Sequence, residues 1–291
     1  MAKSKQSTAV AKVEPKSTAL ATPDYLKGYS GPTGSENIDV KDVTIPRILI
    51  GQSMSPEVKA GNVEEGDLFL NITGEVLAKK GVPLPFAPLV VGKEFILWRD
   101  RDDGGGIFAR ARRTETPEGV IYAWDKPNQS FEHKVGGKVK VKWTTGKCVE
   151  QDGLGDWGSE IPGDKESKIA ATAHHNIIVA LPTHGDLIAA FSLSKSQSKR
   201  AKDFNAMLKL GSAPIFARMF TATTEEEVSG ENKYSNVRML PAGFVPDAAS
   251  FERYKGMALG FVGVSVTVDH TGGESQGGDA APAKPAKGGK F

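Results

Sequence analysis

Apolar residues recur mostly at every second position, in short runs broken by Gly, Pro, Asn and Asp, and that period of two marks half-buried strands. It predicts strands over residues 44–50, 67–71, 86–98, 107–112, 120–124, 138–143, 176–181, 187–193, 215–223 and 234–240. The glycine-rich stretch 100–106 between two of them predicts a hairpin turn. Helical spacing appears twice. Over residues 198–210, Ala201, Phe204, Met207 and Leu208 fall on one face and Gly211 supplies a stop. After Pro246, Asp247 is placed as an N-cap, with Ala248, Phe251 and Ala258 on one face. Many strands with few helices predict a mainly β (α+β) protein built on an antiparallel sheet or barrel, not a doubly wound α/β fold. Residues 146–168, glycine-rich and acidic, are expected to form an exposed loop or an insertion.

Composition sets the outer limits. A content of 39% hydrophobic and 25% charged residues in 291 is that of an ordinary globular protein, and 33 Gly with 17 Pro excludes a helical bundle. Residues 1–23 and 269–291 carry too few large apolar side chains to repay the entropy of ordering, so a disordered basic arm and a disordered tail are expected. One elaborated β-barrel domain is expected over 40–268. No apolar run approaches the ~20 residues that span a bilayer, and the N-terminus lacks an apolar signal region, so no membrane partner and a cytoplasmic location are expected. The single Cys148 excludes an internal disulfide and a cysteine-rich zinc site.

The search for catalytic chemistry returns little. Phosphate-loop, dinucleotide, serine-hydrolase and zincin motifs are missing. His174 and His175 are adjacent, so in a strand they face opposite ways and cannot chelate one metal together. His184 with Asp186 reads as turn chemistry, Asp100, Asp102 and Asp103 as acidic turn tips, and Cys148 as structural. No enzyme activity, metal or cofactor is expected.

Cations and aromatics, in contrast, gather on strand faces. Alternation puts Phe108, Arg110 and Arg112 opposite Ile107, Ala109 and Ala111. The same rule groups Phe216, Arg218 and Phe220; Tyr234, Asn236 and Arg238; Tyr122 and Trp124; and Lys138, Lys140 and Lys142. Trp98 is followed by Arg99, and Lys199, Arg200 and Lys202 crowd a helix N-terminus, where cations oppose the macrodipole and an anionic partner would relieve them. Aromatic rings that stack on bases, set among cations that hold phosphates, are what sequence-tolerant single-strand binding requires. With a net charge of only +2, any such surface is local.

The order of these features resembles the single-stranded-DNA-binding proteins of bacteriophages, which carry an elaborated OB-type β-barrel. The resemblance lies in residues 178–240: a strand ending Ala190, Phe191, Ser192, Leu193, Ser194, the basic helix, then Pro214, Ile215, Phe216, Ala217, Arg218, then the strand 234–240. A second patch is Ile45, Pro46, Arg47, Ile48, Leu49 with Ser55, Pro56, Glu57. It implies an OB-like barrel elaborated with extra strands and two helices, binding single-stranded DNA in replication or recombination within a bacterial host, without catalysis. Replication or recombination proteins and a second copy of the chain are further candidate partners. Such proteins often end in an acidic tail capped by an aromatic residue. This chain ends in Phe291, but Lys284, Lys287 and Lys290 precede it, so tail-mediated recruitment is not expected. The alternative is a virion or assembly component using the same faces as subunit interfaces.

Overall fold

The computed structural model describes residues 44–99, 105–135, 139–229, 232–261, 268 and 270. The expected arm, residues 100–104 of the expected turn and all of the expected tail except His270 lie outside the described residues; His270 itself is buried. The protein is mainly β, with a curled half-barrel sheet and, among the described residues, four α-helices. In chain order the elements are β1 (Arg47–Ile50), α1 (Pro56–Lys59), β2 (Leu68–Leu70), β3 (Val76–Ala78), β4 (Leu84–Trp98), β5 (Ile107–Thr116), β6 (Gly119–Trp124), β7 (Ser130–Val135), β8 (Val139–Thr144), α2 (Val149–Asp152), β9 (Ala171–Leu181), β10 (Leu187–Ser194), α3 (Ser198–Leu210), β11 (Arg218–Ser229), β12 (Asn232–Phe244) and α4 (Ala248–Gly260).

The main sheet runs β12-β11-β4-β9-β10-β1-β2-β3, and β5 with β6 branch from β4; β7 and β8 form a separate pair. Nearly all pairs are antiparallel, β1 with β10 being parallel. The 15-residue β4 makes the branch possible: its start pairs with β11 and its end with β5, while β9 runs along most of its length. The outer edge of β12 curls round to the end of β1, where the Gln52 side chain donates to Ser235 O (2.7 Å) and accepts from Ser235 N (3.1 Å). A side-chain amide thus meets a backbone edge that would otherwise be unpaired.

Three cores follow from the two faces. On β9, Ile177, Val179 and Leu181 face a first core, while Ile178 and Ala180 face a third core on the reverse side. The first core takes Ala201, Phe204 and Leu208 of α3 against Phe86, Phe191 and Phe220, ring centroids 4.9–5.9 Å apart. The third takes Tyr254 and Ala258 of α4. Tyr254 is anchored by its hydroxyl, which donates to Asp186 at 2.6 Å; burial and that contact push its pKa up to about 12. The second core shares the α3 face further along β9, packing Phe95, Leu97, Trp124, Val141 and Trp143. Residues 146–168 are not a free loop: Val149 and Leu154 are buried in this core, and Trp143 donates its indole N–H to Glu160 O at 3.1 Å.

The period-two reading placed the strands except β3 and β7, which it missed, and the helical spacing found α3 at its observed bounds. The Asp247 N-cap is present, accepting from Ser250 N at 2.6 Å. Residues 215–217 are a tight helical turn rather than the start of a strand, because Pro214 leads into it before β11 begins. No helix among the described residues is long and apolar enough to cross a membrane.

Candidate nucleic-acid interface

Several expected stackers are core residues. Phe108 is buried against Phe131, centroids 3.8 Å apart. A register shift between Leu97 and Trp98 leaves Ala109 opposite Leu97 and Ile107 opposite Trp98, so Phe108 is the extra residue of a bulge and turns with Ala109 into the second core. Trp124 is also buried, its indole donating to Asp152 at 2.5 Å, and Phe220 lies in the first core. Phe216 packs on Phe251, centroids 5.6 Å apart. Half-buried Trp98 lies beside His174 and His270. In this arrangement the faces of Phe108, Trp124 and Phe220 are closed to a base.

Most of the expected phosphate-holding arginines have carboxylate or carbonyl partners. Arg200 pairs with Glu227 and with Glu225, so acidic residues of β11, not an external anion, relieve the cationic start of α3. Arg218 donates to Met207 O and Leu208 O at 3.2–3.3 Å, capping the end of α3. That contact requires Gly211, since a Cβ there would lie 1.6 Å from the guanidinium. Arg238 pairs with Glu225 at 2.8 Å, and Tyr234 donates to Glu227 at 3.1 Å. Arg110 and Arg112 do share a face, but it is the face of Glu94 (3.6 and 3.9 Å). Lys140 and Lys142 are exposed opposite buried Val141 and Trp143, as the alternation predicts; Lys138 lies outside the described residues. Lys199 and Lys202 are exposed, and Arg99 lies over the rim of Phe108 at 5.6 Å.

One cationic and aromatic cluster, half-buried at Lys93 and Tyr122 and exposed at Lys202, holds cations without ion pairs among the described residues, and sequence reasoning found only part of it. Register pairs Lys93 with His175, and both side chains point to the α3 face, in the gap between the first and second cores. The Lys93 ammonium sits 4.3 Å from the Phe95 ring centre and 5.0 Å from that of Tyr122, and these two rings meet edge to face at 5.1 Å. Burial lowers the Lys93 pKa; Glu150 acts against this and the charge of Lys202 adds to it. Burial likewise lowers that of His175, reinforced by Lys93 and Lys202. Glu150 is occupied in accepting from Tyr122 N at 3.1 Å. Neither Lys93 nor Lys202 forms an ion pair among the described residues, so like charges converge from β4 and α3 beside a half-buried tyrosine. Lys93 was not singled out and His175 was weighed only as a metal ligand, because nothing along the chain links them; only β4–β9 pairing brings them together.

The reverse face, one residue along each strand, is of another kind. Glu94, opposite His174, accepts from Asn176 Nδ2 (2.7 Å) and His270 Nε2 (3.2 Å). Arg47 donates from Nη1 to His270 Nδ1 at 3.2 Å, and His174 Nδ1 lies 3.2 Å from Ser192 Oγ. Burial alone would raise the Glu94 pKa, but the His270 hydrogen bond, the Arg110 charge and the Asn176 bond outweigh it and hold it at about 2. Burial drives His174 well below its ordinary value and His270 below its own. No group of three His, Cys, Asp or Glu among the described residues is placed to hold a metal ion. A family model described as Pam3 phage gp34-like protein matches residues 15–267. No curated protein and no solved structure matches the chain.

Proposed function

The chain belongs to the Pam3 phage gp34-like family, and from that premise we propose that it binds single-stranded DNA in phage replication or recombination, without a catalytic centre, in the cytoplasm of the infected bacterium. On this reading the curled sheet is an OB-like half-barrel whose α3 face meets the strand. The observation that carries it is the Lys93 ammonium set 5.0 Å from the half-buried Tyr122 ring with the charge of Lys202 acting on it from α3, like charges that a polyanion with stackable bases would relieve. Lys140, Lys142 and Arg99 extend the positive surface along the second core.

The test is anisotropy of a labelled single-stranded oligonucleotide and its duplex across a salt series, with the wild type and the Lys93→Met, Lys202→Ala pair. Tight single-strand binding that weakens with salt is expected, and the double variant should flatten the log–log salt slope by roughly 1.4, about 0.7 per lost phosphate contact. Absence of binding at low salt, or an unchanged slope in the double variant, overturns the reading.

A second reading, a virion or assembly component, is favoured by one feature. Edge strand β12 exposes an apolar run from Leu240 to Phe244, the latter 67% exposed, near the exposed Leu210 that ends α3. Sedimentation distinguishes the two, since an assembly component forms a defined large particle without nucleic acid.

A further inference from the structure

We infer that the chain forms a closed dimer with a second copy of itself through the ends of α3 and β12, the Phe244 ring of each copy seated in a groove of the other. The groove is lined by Arg200, Asp203 and Met207 of α3 and by Arg238, Met239 and Leu240 of β12, and its volume is about 160 Å³. An apolar space of roughly 150 Å³ accepts a benzene ring, so one phenyl group fills it. The lining has the same preference, because thioethers make favourable contacts with aromatic rings and guanidinium groups stack on their faces. Both arginines already have carboxylate partners, Arg200 in Glu225 and Glu227 and Arg238 in Glu225, so the groove suits an uncharged ring better than an anion.

A ring of that size is presented on the same surface. Phe244 at the end of β12 is 67% exposed, and Leu210 at the end of α3 is 88% exposed. Arg218 ties the two ends together: it lies opposite Phe244 in the β11–β12 register and donates to the Met207 and Leu208 carbonyls in the last turn of α3. Met207 therefore belongs both to the groove and to the turn held beside Phe244. Between groove and ring run Pro241 and Ala242, both exposed. An extended strand sets Phe244 about 10 Å or more beyond Leu240, so the ring does not reach the groove of its own chain. The result is one continuous apolar strip, larger than the single exposed residues that need no explanation.

A surface that carries both a projecting ring and a ring-sized groove is complementary to itself. Two such surfaces meet about a two-fold axis, each ring entering the other groove, and an isologous contact of this kind closes at two copies. Side chains carry the contact: Pro241 has no N–H and Gly243 takes φ +106°, which makes this end of β12 a poor template for an added strand. The inference goes beyond both readings above, since it holds whatever the Lys93 cleft binds and assigns the apolar strip to a closed pair instead of a growing particle.

Sedimentation velocity of the full chain without nucleic acid, over a range of micromolar concentrations, tests it. The wild type should sediment as a dimer that dissociates on dilution. Phe244→Asp should raise the dissociation constant roughly a thousandfold, about thirtyfold for each of two buried rings, and leave a monomer. Leu240→Lys, which sets an ammonium between Arg200 and Arg238, should also leave a monomer. Each variant keeps the half that the other lacks, so their equimolar mixture should form a mixed pair with one ring seated and the new carboxylate facing the new ammonium. Val228→Asp, at an exposed apolar position at the far end of β11, should dimerise as the wild type does. Circular dichroism and unfolding curves matching the wild type show that each variant is folded. A wild type that stays monomeric throughout, an assembly larger than a dimer, a dimer that survives Phe244→Asp, or a mixture that associates no more than its components would each overturn the pairing.

Discussion

Lys93 and Glu94 are neighbours on β4, His175 and His174 are their partners on β9, and the two resulting rows lie back to back through one sheet. On the α3 side, Lys93 lies beside the buried His175 and feels the charge of Lys202, and neither lysine forms an ion pair among the described residues. On the reverse side, Glu94 is matched by Arg47, Arg110, Asn176 and His270 within a hydrogen-bonded set. One-residue alternation delivers cations to one face and a neutralised network to the other. A buried charge with its partners reports on folding, whereas a cation kept against aromatic rings without an ion pair among the described residues reports on something to be bound.

The largest effect that would sharpen this contrast is at Glu94. Glu94→Ala leaves the largely buried Arg110 guanidinium and the His270 N–H without their carboxylate, and such a break costs about 3–5 kcal/mol. Urea unfolding should show that loss, with the midpoint moving and the slope nearly constant. If Glu94→Ala unfolds no more easily than a surface variant, the network is not what holds the reverse face together.

Acid comes next. Glu94, held at about 2, contributes stability that is present above its ordinary carboxylate range and is lost only as pH falls towards 2. It is therefore silent between pH 7.5 and 5.5. His174 and His270, whose pKa values are depressed, work in the window below about 6.5: the unfolded chain binds protons that the folded one refuses, so stability drops as pH falls. The expected loss over that interval is about 1–3 kcal/mol, read from unfolding curves at each pH. A flat profile would mean that the histidines of the reverse face are solvated.

These two effects rest on residues whose placement was partly legible in the sequence. Alternation assigned His174 and His175 to opposite faces and placed Arg110 with Arg112, while helical spacing and capping signals found α3 and the Asp247 cap. It misplaced Phe108 because a bulge shifts the period by one residue, and a bulge leaves no mark in a hydrophobic pattern. It took Arg200 and Arg218 for free cations because their partners, Glu227 and the carbonyls of Met207 and Leu208, are supplied by folding. Lys93 was invisible for a similar reason: its significance comes from β9, α3 and β6, about 30 to 110 residues away in sequence.

A smaller effect probes the open face. Lys93→Met keeps the aliphatic stem over Phe95 and Tyr122 and removes a partly desolvated charge, so stability should be unchanged or rise by up to about 1 kcal/mol. The expected signature is a protein that melts as the wild type does and releases oligonucleotide at lower salt. A destabilisation as large as that of Glu94→Ala would make the two faces alike, and Lys93 a structural residue.

The smallest expected effect is at Arg238, and it decides where the interface lies. Arg238 is 48% exposed and bonded to Glu225 at 2.8 Å, on the rim of a groove of about 160 Å³ that Arg200, Asp203 and Met207 of α3 form with Met239 and Leu240 of β12. Its alternation mates Tyr234 and Asn236 donate hydrogen bonds to Glu227 instead, so the platform they were expected to make is a row of contacts to the carboxylates of β11. An exposed pair of this kind is worth less than about 0.5 kcal/mol. Arg238→Ala should therefore leave the melting curve, the oligonucleotide affinity and its salt slope within error of the wild type. A clear loss of affinity in the folded variant would show that Glu225 yields Arg238 to phosphate, and would move the interface from the Lys93 cleft to the groove between α3 and β12.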